Sequence, residues 1–158
     1  LTYNPDTNLL YTTNAMVDGH RITTIDADTM SIGNTITIPE RVFNLAYDKK
    51  TNQFMSIVPV DATMRRINYY TSQFQLVQSK DIDANYDDYN NNGAFANDGK
   101  TIFATLSTVI TVDKTGNVSK IASFPKNLEI EDMDMRHNIM YAAVNMNHKV
   151  FIYTMLNY

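Results

Sequence analysis

Four oxygen-bearing side chains at alternate positions, Asp81, Asp83, Asn85 and Asp87, have the types and spacing that come nearest to a metal site in this chain. Hard cations such as Ca2+ are held by clustered carboxylates and amides, and a calcium loop opens with this alternation. The pattern then departs from one: Tyr86 stands where the sharp turn needs glycine, and Asn92 replaces the bidentate glutamate. The stretch from Asp81 to Gly93 also suits a solvated acidic connection whose Asp and Asn side chains build turns. The sequence favours that simpler reading and leaves Ca2+ as the one cofactor it suggests. Tyr86 and Tyr89 in the same stretch either stack on a sugar or partner surface or, more simply, cap the core beneath.

A second acidic group, Glu129, Glu131, Asp132 and Asp134, leads into a strand-like run. Strict alternation sends Asp132 and Asp134 to one side and Glu131 to the other. His20, His137 and His148 fall in different inter-strand segments, short of the ligand count of a zinc site. No Gly-x-Ser-x-Gly elbow occurs, and the absence of cysteine excludes disulfides, thiolate metal sites and cysteine nucleophiles. With a net charge of −4 and a pI near 5.2, the chain has no basic footprint for nucleic acid. No long apolar run or basic-then-apolar leader is present, so neither a membrane span nor a signal peptide is expected within it.

The elements that must position these residues are short strands. Leu9-Leu10-Tyr11-Thr12-Thr13 and Ile22-Thr23-Thr24-Ile25 are β-branched and aromatic, Ile36-Thr37-Ile38 alternates, and Asn, Asp and Pro fill the intervening turns. The unit repeats. The residue before its first turn recurs as Tyr3, Tyr47, Phe95 and Met135, at intervals of about 40 to 50 residues, which is the range of propeller blades. The pattern predicts an all-β fold, a β-propeller of about four antiparallel blades over residues 1–39, 40–82, 90–124 and 128–158. The first blade is expected to be short in its innermost strand and the last to lack its outermost one, as in part of a larger propeller. A ring of this kind would be completed by other blades or subunits.

Leu10-Tyr11-Thr12-Thr13-Asn14 resembles the Leu-Tyr-Val-Thr-Asn signature of the YVTN-type β-propeller repeat, and Ile22 to Asp26 followed by Ile36-Thr37-Ile38-Pro39 looks like the rest of that repeat. The later copies depart from it, with Met55-Ser56-Ile57-Val58, Phe103-Ala104-Thr105-Leu106 and Tyr141-Ala142-Ala143-Val144 at the signature position. The resemblance implies a bacterial or archaeal propeller that is extracytoplasmic or cell-surface. Related propellers include enzymes, so the resemblance implies no particular activity.

Strand direction sorts the loops. Turns between first and second and between third and fourth strands of a blade share one face. Second-to-third loops and blade-to-blade connections share the other, which carries the longer, irregular segments where binding residues are usually placed. Asp18 and His20, Asp61, Tyr86 and Tyr89, and Glu129 fall there, and Asp132 follows on an inner strand facing the channel. The expected function is a non-catalytic binding or scaffold propeller that recognises a protein or glycan through these loops. The alternative is a lactonase-like or metal-dependent hydrolase centred on Asp132 at the channel mouth, as the carboxylates of sugar-lactone-hydrolysing propellers imply.

Overall fold

The computed structural model describes residues 1–14, 18–83, 95–97, 101–104, 108–112, 117–125, 128–136, 139–147 and 149–155. These residues form fifteen strands and no helix. The strands are β1 (Thr2–Asn4), β2 (Leu9–Thr13), β3 (Arg21–Asp26), β4 (Ile32–Thr37), β5 (Ala46–Asp48), β6 (Gln53–Pro59), β7 (Met64–Thr71), β8 (Leu76–Asp83), β9 (Phe95–Asn97), β10 (Thr101–Ala104), β11 (Thr108–Val112), β12 (Val118–Ser123), β13 (Glu129–Arg136), β14 (Ile139–Met146) and β15 (Lys149–Met155). Consecutive strands pair into four sheets, β1-β2-β3-β4, β5-β6-β7-β8, β9-β10-β11-β12 and β13-β14-β15. The sheets are antiparallel, as short turns between neighbouring strands require. β1 is as short as β5 and β9, and the last sheet has three strands among the described residues.

The chain divides into two compact units, Leu1–Val58 with Arg66–Lys80, and Pro59–Arg65 with Asp81–Tyr158. In the first, the turns after β1 and β5 repeat at atomic level. Asp6 N–H donates to Asn4 Oδ1 and Lys50 N–H donates to Asp48 Oδ1, each at 2.9 Å. Asn8 and Asn52 then take left-handed backbone angles, each with φ of 55°, which asparagine tolerates better than most residues. Tyr47 N–H donates to Thr2 Oγ1 at 3.1 Å, linking β5 to β1. The core between these sheets is Tyr11, Ile22, Ile38, Val42, Leu45, Tyr47, Phe54, Tyr70 and Phe74. Phe74 reaches it from a turn with φ of 61°, and the fourth strand of this sheet begins beyond it at Leu76.

β4 differs from expectation, running from Ile32 to Thr37, because it contains a bulge. Thr23 faces Thr35 and Ile25 faces Ile32, so Gly33 and Asn34 together oppose Thr24. Thr24 Oγ1 accepts from Asn34 N–H at 2.9 Å and would lie 2.6 Å from a Cβ at position 33, so only glycine leaves room there.

The second unit has an aliphatic core of Val109, Leu128, Ile130, Met133, Met140, Ala142 and Val144. β14 contributes Met140, Ala142 and Val144 at strict period two. On β13 Ile130 and Met133 are buried, three apart. Ile130 faces Val144 while Asp132 faces Ala143, leaving Glu131 as the extra residue of a bulge.

Candidate functional site

The longer-loop face is built in the first unit by the β2–β3 loop and the β4–β5 connection. Asn14 N–H donates to Arg21 O at 3.0 Å, and Gly19 N–H donates back to Asn14 O at 2.9 Å, closing the loop. Gly19 is buried with φ of 70°, a backbone that glycine adopts without Cβ strain. Its carbonyl accepts from Val42 N–H at 2.7 Å, and the His20 carbonyl accepts from Ile38 N–H at 2.9 Å. The two segments that strand direction placed on one face are therefore bonded to each other through their backbones.

Asp18 and His20 are brought together here. Asp18 Oδ1 accepts from His20 N–H at 3.0 Å and Asp18 Oδ2 pairs with Arg21 Nη2 at 2.8 Å. The bond from the His20 N–H, followed by Arg21, holds the Asp18 carboxyl below its ordinary 3.8. Beside them Arg41 lies exposed, its guanidinium 4.8 Å from the centre of the Phe43 ring, a cation–π contact. The Phe43 carbonyl accepts from Thr13 Oγ1 at 3.1 Å, which fixes the ring's backbone to β2. Sequence reasoning missed Arg41 and Phe43. Their signal is a cation and an aromatic two residues apart in the connection between two strands, close enough for the guanidinium to reach the ring.

Asp61 is a turn builder. Its Oδ1 accepts from Thr63 N–H at 2.8 Å and Met64 N–H at 2.7 Å, and the Met64 bond is the first cause holding its carboxyl below 3.8. Arg65 is buried beneath, with Nη1 donating to the carbonyls of Asp61 at 2.9 Å and Met64 at 3.0 Å. Desolvation lowers its pKa, yet a guanidinium stays charged.

Glu129 and Asp132 both lie on β13. The bulge corrects the alternation expected there: Glu131 and Asp132 are both exposed, and Met133 takes the buried place. Asn145 Nδ2 donates to Glu131 Oε1 at 3.3 Å, and Asp132 Oδ1 accepts from Met133 N–H at 2.9 Å. Asp132 opens to solvent at its surface, while the protein around β13 thins the water about its carboxyl. That desolvation, with the like charge of Asp134 adding to it, raises the acid above 3.8.

Asp81 and Asp83 stand at the end of β8 as exposed strand residues flanking the buried Ile82, so the strand runs into what the sequence suggested was loop. Asn85, Tyr86, Asp87 and Tyr89, together with His137 and His148, lie outside the described residues. Among the described residues no three His, Cys, Asp or Glu side chains gather closely enough to hold a metal ion.

No family model matches the chain, and no curated protein matches it in sequence. Solved structures do match. Hydrazine synthase of Kuenenia stuttgartiensis is 12% identical with a TM-score of 0.57, over 98% of this chain and 44% of that one. U3-55K is 14% identical with a TM-score of 0.52, over 94% of this chain and 46% of that one. The β-propeller domain of Myceliophteria thermophila Cps50 (Swd1) is 13% identical with a TM-score of 0.53, over 97% of this chain and 52% of that one. With four consecutive antiparallel sheets, these likenesses define the class: the chain has a β-propeller fold. It spans about half the length of these solved chains. No helix among the described residues is long and apolar enough to cross a membrane.

Proposed function

We propose that this chain is a binding and scaffold propeller of the YVTN type, extracytoplasmic or at the cell surface, that takes a protein or glycan on the face built by the β2–β3 loop and the β4–β5 connection. The bonds from Val42 N–H to Gly19 O and from Ile38 N–H to His20 O carry this reading. They hold the backbone of both segments in place, so an approaching ligand meets a surface with little ordering cost left to meet. Arg41 and the Phe43 ring offer it a cation and an aromatic face, the residue types that dominate recognition surfaces. The YVTN kinship and surface location rest on Leu10-Tyr11-Thr12-Thr13-Asn14. Further blades or subunits complete the ring in this reading.

The test is binding to a glycan array and to a displayed peptide library. It compares the native chain with Arg41→Glu and Phe43→Ala on this face and with Lys49→Glu and Lys50→Glu on the opposite turns. Loss confined to the first pair is the expected result. Equal loss from both pairs, or no binder among glycans and peptides, sinks the reading.

The raised acid of Asp132 favours a second reading, a lactonase-like or metal-dependent hydrolase. Lactone turnover that needs Ca2+ and disappears in Asp132→Asn is its signature. An unchanged rate in that variant removes it.

A further inference from the structure

On the reading that the face built by the β2–β3 loop and the β4–β5 connection is a binding surface, we propose that its ligand is an acidic peptide whose carboxylate is received by the Arg41 guanidinium. Arg41 is exposed, and among the described residues it makes no ion pair. Arg21, on the same face, differs. Asp18 Oδ2 pairs with Arg21 Nη2 at 2.8 Å. One guanidinium of this face is therefore already spent, and the other still has its charge to give.

Arg41 is also held in place. Its guanidinium lies over the Phe43 ring, 4.8 Å from the centre. A Cβ on Gly19 would stand 3.5 Å from Arg41 Nε and 3.7 Å from Arg41 Cβ, so the side chain runs along bare glycine backbone. Gly19 is itself bonded to Asn14 and Val42, and the Phe43 carbonyl is bonded to Thr13. A long side chain loses rotamer freedom when it grips a ligand, and here the ring and the glycine have already removed part of that freedom. A guanidinium set over a ring keeps its N–H edge for a carboxylate, which it meets with two parallel hydrogen bonds.

The same contacts select the class of partner. A sugar presents hydroxyls, which need acceptors, and a C–H face, which needs an open ring. On this face one side of the Phe43 ring is taken by Arg41, and both Asp18 oxygens are taken, by the His20 N–H and by Arg21. What remains is a positive charge. An Asp or Glu side chain of a peptide reaches that charge with no ring to seat. The chain as a whole carries a net charge of −4, so the attraction is local to Arg41 and is weakened by salt.

Peptides selected from a displayed library on the native chain are expected to share an Asp or Glu. Changing that residue to Asn or Gln is expected to weaken binding roughly tenfold or more, as loss of a charge-assisted pair does. Arg41→Gln should cause the same loss, and the two changes together no further one. Arg41→Lys restores only part of the binding, because a point charge replaces the planar fork. Asp18→Asn releases Arg21 while keeping an oxygen for the His20 N–H, and is expected to tighten binding about twofold to fivefold. Lys50→Gln removes a charge of the same sign from the opposite turns and leaves binding as it was. The change in the peptide is read on the native chain, so the test does not depend on any variant folding. Selected peptides that share no acid, yet are lost in Phe43→Ala, overturn the acidic partner and leave the binding face standing. Binding of polygalacturonate with no acidic peptide among the binders does the same and makes the ligand an acidic glycan. Peptides that bind Arg41→Gln and Phe43→Ala as well as the native chain overturn both.

Discussion

The two units solve the same packing problem with different side chains. In the first, the Phe54 ring lies 4.7 Å from Tyr11, 5.0 Å from Tyr47 and 4.4 Å from Phe74, so one strand residue meets three aromatic neighbours. In the second, the buried cluster among the described residues is aliphatic, with two methionines among its members. Aromatic rings have defined relative orientations and polar ends. The Tyr47 hydroxyl lies 2.9 Å from both Asp6 Oδ2 and Asn52 Oδ1, so the aromatic core is tied to the two repeated turns. Methionine adapts to gaps and makes no such tie. The first core therefore specifies its loops, and the second specifies chiefly its own volume.

Truncation breaks that comparison most severely. Phe54→Ala is expected to cost about 3–5 kcal/mol, read from urea unfolding, because the cavity would be walled by rings that cannot close over it. Met140→Ala should fall near the lower end for its type, about 2–3 kcal/mol, since Met133 can move into the space. Equal losses would end the distinction. Next in size is Gly33→Ala, where the new Cβ meets Thr24 Oγ1 and displaces its bonds to Asn34, for a loss of about 1–3 kcal/mol in the same assay.

Alkaline titration sharpens the contrast through hydroxyls that, among the described residues, the aromatic core buries. Burial pushes Tyr47 up to about 12, with Asp6 adding to it, and likewise pushes Tyr70 up to about 12, with Glu40 adding to it. Their ordinary value is 10.0, so the unfolded chain releases these protons first. The stability they contribute is whole below pH 10 and lost as pH rises toward 12. Thermal midpoints should fall across that window, and less steeply in Tyr70→Phe. That variant should change stability little at pH 7, because the buried Tyr70 hydroxyl makes no hydrogen bond of good geometry, the Asn68 side chain being only near it.

The smallest effects belong to the loop carboxylates. Asp18, Asp26 and Asp61 are each held below 3.8 first by a backbone N–H, from His20, Thr29 and Met64 respectively. Their contribution is present above pH 3.8 and lost as the acids take up protons below it. Asp61→Ala should lower the thermal midpoint at pH 7 by less than Gly33→Ala and leave it unchanged in strong acid. Asp132 has the opposite sign: its raised acid means that Asp132→Asn is neutral or stabilising at pH 7. A clear loss of stability there would overturn the desolvation argument.

Much of the fold was legible because strand and turn chemistry act locally. β2 spans the residues that its Leu, Tyr and Thr content indicated, and the Thr-Asn pairs at 7–8 and 51–52 end equivalent turns. The shared face of the β2–β3 loop and β4–β5 connection followed from strand direction alone. Of the residues proposed for binding, Asp18 accepts from the His20 N–H and Asp61 from the Met64 N–H of its own turn, contacts that composition alone did not specify. Arg41 and Phe43 were passed over because an exposed cation and ring acquire meaning only when the backbone beneath them is held.

Alternation of apolar and polar residues by itself determined the all-β class, the repeat and the order of the strands, since those depend on contacts between near neighbours in the chain. The bulges were decided only by tertiary packing. Ile130-Glu131-Asp132-Met133 could have kept its alternation by burying Asp132 beside Ile130. Burying an ionised carboxylate costs far more than opening one unpaired backbone position. The strand therefore takes in an extra residue, Met133 joins the core, and Asp132 is turned outward.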